Sequence, residues 1–215
     1  MTMAVGAHDG ALAEAATERG PAGRVGRVVT ESGRARQAAS GQVVAQRVAA
    51  EQVASEQVVV ERVPFDHPDA VALRLAAVAE LAERYGDDGD ADEYFDPATI
   101  VATVVIRAGG VAAAGGSLRD LSGADDGVGG RHPSGTGEVK RVFVGAVFRR
   151  RGLSTLIMEE LECSAREAGL TRVVLETGTA QPEAISLYEK LGYERIAPYG
   201  KYAGEEDQRC YGKAL

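Results

Sequence analysis

The sequence predicts an α/β domain, a mixed and mostly antiparallel sheet flanked by helices. Three observations carry that prediction. The strand-like run Glu138 to Val144 feeds through Arg149-Arg150-Arg151-Gly152 into an amphipathic helix. Upstream, Ile100 to Arg107 and Val111 to Leu118 flank Gly109-Gly110, the pattern of a β-hairpin. Downstream, strand-like and helix-like runs alternate from Thr171 to Ala197.

Taken in order, Glu56 to Val63 reads as the first strand, closed by Pro64. Pro68 suits the first turn of a helix, with Asp66 as a cap. That helix runs to Tyr85, with Val71, Leu75, Val78, Leu81 and Ala82 on one face, and Gly86 ends it. The acidic run Asp87 to Glu93 lacks the ligand alternation and terminal glutamate of an EF-hand and reads as a solvated loop. After the hairpin, Ser122 to Gly137 is rich in Gly, Asp and Ser and reads as a flexible loop. Strand 138–144 follows. Helix 153–168 then places Leu153, Leu156, Ile157, Leu161, Ala165 and Ala168 on one face and ends at Gly169. Strand 171–177, helix 182–191 with Pro182 in its first turn, and strand 193–197 complete the alternation. A final strand spans Gln208 to Lys213.

The 215 residues hold one ordinary domain with a core, plus some excess. The excess is residues 1–55, rich in Ala, Gly, Arg, Gln and Val and devoid of Phe, Tyr and Trp. A loose quasi-repeat, Val48-Ala-Ala-Glu-Gln-Val-Ala-Ser-Glu-Gln-Val58, ends it. The segment reads as a disordered or partly helical extension, an interaction arm, or sequence ahead of a start codon further downstream. Residues 56–215 form the domain.

Bulk properties narrow the function. An apolar fraction of 45% is that of a soluble globular protein. No apolar stretch approaches the roughly 20 residues needed to span a bilayer, so no membrane partner is expected. Met1 to Gly10 lacks the pattern of a secretory signal. Cys163 and Cys210 read as reduced thiols, and the expected compartment is the cytoplasm. His8, His67 and His132 are scattered and no Cys/His grouping has zinc spacing, so no metal is expected. A net charge of −8 argues against nucleic-acid binding. The acidity lies outside residues 1–55, which carry six arginines against five carboxylates. An acidic surface around a basic site favours a cationic partner.

The basic turn is the strongest chemical signal. The first N–H groups of a helix lack intrahelical acceptors and sit at the positive end of its dipole. Gly152 lets backbone approach an anion, and the arginines add charge. The ligand expected there carries a pyrophosphate.

Arg149-x-x-Gly152-x-Ser154 resembles the Arg/Gln-x-x-Gly-x-Gly/Ala signature of the GNAT N-acetyltransferase family, which uses acetyl-CoA. Glu138 to Val144 looks like that family's fourth strand and Thr171 to Thr177 like its fifth. Gln181-Pro-Glu-Ala-Ile-Ser-Leu-Tyr188-Glu-Lys-Leu-Gly192-Tyr193 resembles its late helix. The likeness is clearest over residues 138–197 and implies the GNAT acyl-CoA N-acyltransferase fold.

The resemblance also implies roles. Backbone N–H groups across Arg149, Arg150, Arg151, Gly152, Leu153, Ser154 and Thr155 hold the pyrophosphate. The pantetheine arm pairs with the strand edge near Phe143 and Val144, where the fourth and fifth strands splay apart. Tyr188 matches the tyrosine that protonates the coenzyme A thiolate, a task suited to a phenol with a pKa of about 10. Its other readings are a cofactor contact and a packing aromatic. Glu138 and Glu176 are the candidate bases. Gln181 replaces the family's Asn and either touches the pantetheine or caps the helix. The acceptor pocket falls to Tyr85–Phe95 and Tyr193–Tyr211. There Tyr193, Tyr199, Tyr202 and Tyr211 either line the pocket or pack, and Glu205, Glu206 and Asp207 either attract a cation or form a solvated loop. The implied partners are acetyl-CoA and an amine acceptor. That acceptor is a small molecule, or else a protein lysine or N-terminus. A non-catalytic acyl-CoA-binding module is a third reading. Homodimers are common in this family, but no sequence feature fixes one here.

Overall fold

The computed structural model describes residues 57–86 and 96–215. The extension 1–55 and the acidic run Asp87 to Glu93 lie outside the described residues. The strands are β1 (Val58–Arg62), β2 (Ile100–Ala108), β3 (Val111–Asp120), β4 (Thr136–Val144), β5 (Arg172–Gly178), β6 (Glu194–Arg195) and β7 (Gln208–Ala214). The helices are α1 (Pro68–Tyr85), α2 (Leu153–Glu167) and α3 (Pro182–Lys190). The strands form one seven-stranded sheet in the order β1-β2-β3-β4-β5-β7-β6. Only the β4–β5 pair is parallel. The expected mixed, mostly antiparallel sheet is therefore present.

Local chemistry explains the connections. Gly109 and Gly110 both adopt positive φ, 57° and 81°, as a two-residue hairpin turn requires. Gly86 closes α1 in the left-handed region, and its N–H donates to the Ala82 carbonyl. The cap at the other end of α1 corrects the sequence reading. It is His67, whose Nδ1 accepts from the Asp69 N–H at 3.2 Å, not Asp66. β6 is shorter than the expected 193–197, although the Ile196 N–H still donates to the Cys210 carbonyl at 3.0 Å.

The helices cover opposite faces of the sheet. Val104 and Ile106 pack with Ile157, Met158, Leu161 and Ala165 of α2, whereas Val105 between them packs with Ala70 and Leu73 of α1. The face expected for α1 therefore needs correction. Ala70, Leu73 and Ala77 are buried, while Leu75 is 65% exposed. Val78, Leu81 and Ala82 instead face a cleft described below. Periodicity finds an apolar face but not which of two neighbouring apolar stripes meets the sheet.

The loop expected to be flexible, Ser122 to Gly137, is closely hydrogen-bonded. Asp126 Oδ1 accepts from the N–H groups of Val128 and Gly130 at 3.0 and 2.8 Å. Arg131 donates to the Gly123 carbonyl at 2.7 Å. Asx turns of this kind give a loop its own scaffold. Among the described residues no helix is long and apolar enough to cross a membrane.

Candidate active site

Pairing between β4 and β5 stops early. The register joins Thr136 to Arg172, Gly137 to Val173 and Glu138 to Val174, and beyond that the strands diverge. β4 also carries a bulge, with an extra residue between the Ser117–Lys140 and Gly115–Phe143 pairs. Arg141 takes φ 58° there, a left-handed conformation that non-glycine residues adopt at a cost. The divergence opens a cleft of about 880 Å3. Its walls are β4 from Val139 to Val144, the end of β5, α3, and the Val78–Leu81 side of α1.

One end of the cleft is basic. Gly152 is the N-cap of α2 at φ 77° and ψ 4°, and no side chain caps the helix. The amides of the first turn are thus open to a ligand, and Gly152, Leu153 and Ser154 line the cleft. Arg149 and Arg150 line it too. Arg149 Nε donates to the Val144 carbonyl at 3.0 Å, and its Nη2 is ion-paired with Glu80 of α1. Arg151 and Thr155 stand outside the cleft wall. Arg151 donates to the Val147 carbonyl at 2.9 Å and stacks over Phe148. This end presents fixed N–H donors, the dipole of a four-turn helix and two guanidinium groups, which together suit a phosphate-bearing ligand.

Phe143, Val144, Gln181 and Tyr188 also line the cleft. Gln181 precedes α3 but makes no side-chain cap; its Nε2 donates to Tyr85 Oη at 3.2 Å. Tyr85 reaches this point because Gly178 has no side chain: a Cβ there would stand 2.0 Å from the phenol oxygen. Tyr188 is 7% exposed and packs at 6.0 and 6.2 Å from the rings of Tyr193 and Tyr211. Burial pushes its pKa up to about 12, so the phenol stays protonated at neutral pH.

The two carboxylates divide. Glu176, at the end of β5, lines the cleft. Its Oε1 accepts from Lys140 Nζ at 3.0 Å and its Oε2 from Gln208 Nε2 at 2.8 Å. Glu138 stands behind the cleft wall and is 1% exposed. Its Oε2 accepts from Arg119 at 2.6 Å and its Oε1 from the Tyr199 hydroxyl at 3.0 Å. Glu138 thus has the surroundings of a buried structural carboxylate. The register explains this, since Glu138 sits where β3, β4 and β5 are all paired, directly opposite Arg119.

At the far end, Tyr202, Glu205, Asp207 and Gln208 complete the wall. Tyr193, Tyr199 and Tyr211 are buried in the core, so only Tyr202 of the four expected tyrosines lines the cleft. Glu205 and Asp207 reach it, and Glu206 does not. The sequence reading missed Lys140 and Gln208. Their signal lay in strand alternation: Lys140 shares a face with Glu138, and two steps beyond the Glu138–Val174 pair brings it level with Glu176. Among the described residues no group of His, Cys, Asp and Glu is placed to hold a metal ion.

Comparison with known proteins agrees with this geometry. Residues 71–193 match the sequence model of the acetyltransferase (GNAT) family. The chain is 43% identical over 68 residues to IAA acetyltransferase of Azospirillum brasilense, a match covering 32% of this chain and 44% of that protein. It is 33% identical over 54 residues to N-acetyltransferase 8 of Homo sapiens, covering 25% of this chain and 24% of the relative. The chain thus spans less than half the length of these curated relatives. A Klebsiella pneumoniae structure assigned to the acyl-CoA N-acyltransferases superposes with a TM-score of 0.59 at 25% identity, covering 74% of this chain and 98% of that one. A Bacillus cereus structure, IAA acetyltransferase, superposes with a TM-score of 0.52 at 17% identity over 74% and 100% of the two chains and shows the same fold.

Proposed function

The chain belongs to the GNAT acetyltransferase family, and from that premise we propose that it moves an acetyl group from acetyl-CoA to the primary amine of a small molecule. The observation that carries the reading is the set of groups along one cleft. Helix amides and arginines, a buried phenol and a carboxylate all line it together.

Acetyl-CoA supplies the activated acetyl thioester. The amides of Gly152, Leu153 and Ser154 hold its pyrophosphate, with Arg149 and Arg150 adding charge. Beyond Glu138 the β4 edge has no strand partner toward β5, so the backbone at Phe143 and Val144 is placed to pair with the pantetheine amides. Gln181 offers a further amide to that arm.

The acceptor amine enters from the side of Tyr202, Glu205 and Asp207, whose carboxylates favour a cation. The ammonium first loses a proton to water, which frees the lone pair; Glu176 then takes the second proton as the nitrogen bonds to the acetyl carbon, and passes it to solvent after turnover. The bond to sulfur breaks, and Tyr188 gives its phenolic proton to the departing thiolate; solvent then reprotonates the phenol.

The test pairs calorimetry with turnover. Acetyl-CoA should bind the wild-type protein, and Gly152→Glu should abolish binding by setting a carboxylate and a Cβ at a φ of 77° before the helix amides. Coenzyme A release is then followed against a panel of diamines, amino acids, aminoglycosides and a lysine peptide. Absence of acetyl-CoA binding by the intact chain would overturn the proposal. Turnover of the lysine peptide alone would move the acceptor class to protein.

A further inference from the structure

We propose that Lys140 is the positioning residue for Glu176, holding that carboxylate across the opening between β4 and β5. The inference rests on the reading of Glu176 as the base. Lys140 lies on β4 and Glu176 on β5, at the level where the strands have already stopped pairing. The 3.0 Å contact between Lys140 Nζ and Glu176 Oε1 therefore spans the mouth of the splay. Main-chain hydrogen bonds no longer fix the distance between the strands there, and a side-chain ion pair does.

The surrounding charges show why Lys140 stays in place. It is 9% exposed, and a buried ammonium needs compensating charge. Glu138 Oε1 lies 3.9 Å from its Nζ on the side opposite the cleft. Glu138 is itself fixed by Arg119 and Tyr199. Arg119, Glu138, Lys140 and Glu176 thus alternate in sign along one face of the sheet, two cations and two anions. The fully buried Glu138 anchors the lysine, and the lysine presents Glu176. Gln208 completes the arrangement from β7. Its Nε2 donates at 2.8 Å to the second oxygen of Glu176 and at 2.9 Å to the Tyr199 carbonyl. Each oxygen of Glu176 has one donor, from strands on either side, which fixes the rotation of the carboxylate. An ionised carboxylate has about four acceptor positions, so about two are left for an incoming amine.

A merely structural ion pair would change stability and leave the division between kcat and KM alone. A positioning residue changes kcat and leaves acetyl-CoA saturation intact. The experiment is a double-mutant cycle on the full chain, with coenzyme A release followed using whichever amine the panel identifies. Glu176→Gln and Lys140→Met should each lower kcat at least tenfold with the KM for acetyl-CoA unchanged. The double variant should be no slower than the worse single variant, because both remove one function. Lys140→Arg should recover most of the rate. If Lys140→Met fails to fold, Gln208→Met removes the other donor and should give the same split.

Wild-type kcat in Lys140→Met beside a slow Glu176→Gln would overturn the positioning role and leave the proposed reaction standing. Rate losses that multiply in the double variant would overturn it too. Wild-type kcat in Glu176→Gln would overturn the base itself and the inference with it, while acetyl-CoA binding at the helix would be untouched. The two failures are therefore read from different variants.

Discussion

The two ends of the cleft are built in different ways. The basic end comes from one short stretch of chain, Arg149 to Ser154, folded into a turn and the start of α2. The far end draws Lys140 from β4, Glu176 from β5, Gln208 from β7, and Tyr202, Glu205 and Asp207 from the loop ahead of β7. A site made of consecutive residues keeps its geometry wherever the local turn forms. A site made from several strands depends on register, so one glutamate can be chemistry and its near neighbour architecture. Glu176 and Glu138 are that pair: they stand on the adjacent strands β5 and β4, yet one lines the cleft and the other is sealed beneath it.

The largest expected effect separates those two carboxylates. Glu138→Leu removes the buried carboxylate that accepts from Arg119 and the Tyr199 hydroxyl and lies 3.9 Å from the Lys140 ammonium. Breaking a buried pair in this way should cost about 3 kcal/mol of stability, read as a lower urea midpoint at constant m. Glu176→Gln should cost less, because Lys140 keeps Glu138 nearby and the site opens on the cleft, and should act on turnover. Equal losses of stability in the two variants would break the contrast.

Tyr188→Phe comes next. It keeps the packing against Tyr193 and Tyr211 and removes the proton donor. General acid catalysis of this kind is worth roughly a hundredfold or more in kcat, about 2.7 kcal/mol in the barrier. Acetyl-CoA affinity, measured by calorimetry, should stay within about twofold of wild type. A loss of affinity with kcat preserved would make Tyr188 a cofactor contact only.

A third effect is read in alkali. Folding raises the Tyr188 pKa from 10.0 to about 12, so between those values the native state keeps a proton that the unfolded chain has lost. The stabilisation is fully present below pH 10 and is lost as pH rises through 12. Each such proton steepens the fall by about 1.4 kcal/mol per pH unit. Burial raises Tyr193 and Tyr199 as well, with the charges of Glu162 and Glu138 adding to the effect. Denaturant midpoints measured from pH 9 upward should drop steeply, and Tyr188→Phe should flatten the slope. An unchanged slope would mean that the phenol is not sheltered.

The same contrast explains what was legible in the sequence. Strand 138–144, the glycine turn and the helix from Leu153 follow from local rules, and so do the Gly109-Gly110 hairpin and the ends at Gly86 and Gly192. The turn and helix start at the basic end of the cleft were legible for the same reason. The different surroundings of the two glutamates were not. Choosing between Glu138 and Glu176 required knowing that β4 and β5 pair through Val174 and then part. Lys140 reads as an ordinary strand lysine until that register places it beside Glu176. Val78 and Leu81 look like core residues, because an apolar stripe facing a cleft has the same periodicity as one facing a sheet.

The smallest effect tests whether the basic end is as self-contained as its sequence implies. Arg149 is tied to its own turn through the Val144 carbonyl, but its outer nitrogen is paired with Glu80 on α1, far away in sequence. Glu80 also pairs with Arg84 at 2.7 Å, which holds it in place. Both sides of the Arg149–Glu80 pair are partly solvated, and such pairs contribute little to stability. Glu80→Gln should therefore leave the urea midpoint nearly unchanged. It removes a negative charge near the arginine and should tighten acetyl-CoA binding about two- to threefold at low salt, a gain that fades as ionic strength rises. Arg149→Ala should weaken binding several-fold with the same salt dependence. If Glu80→Gln weakens binding instead, Arg149 is aimed by α1 rather than by the turn, and the basic end, like the far one, is assembled from distant parts of the chain.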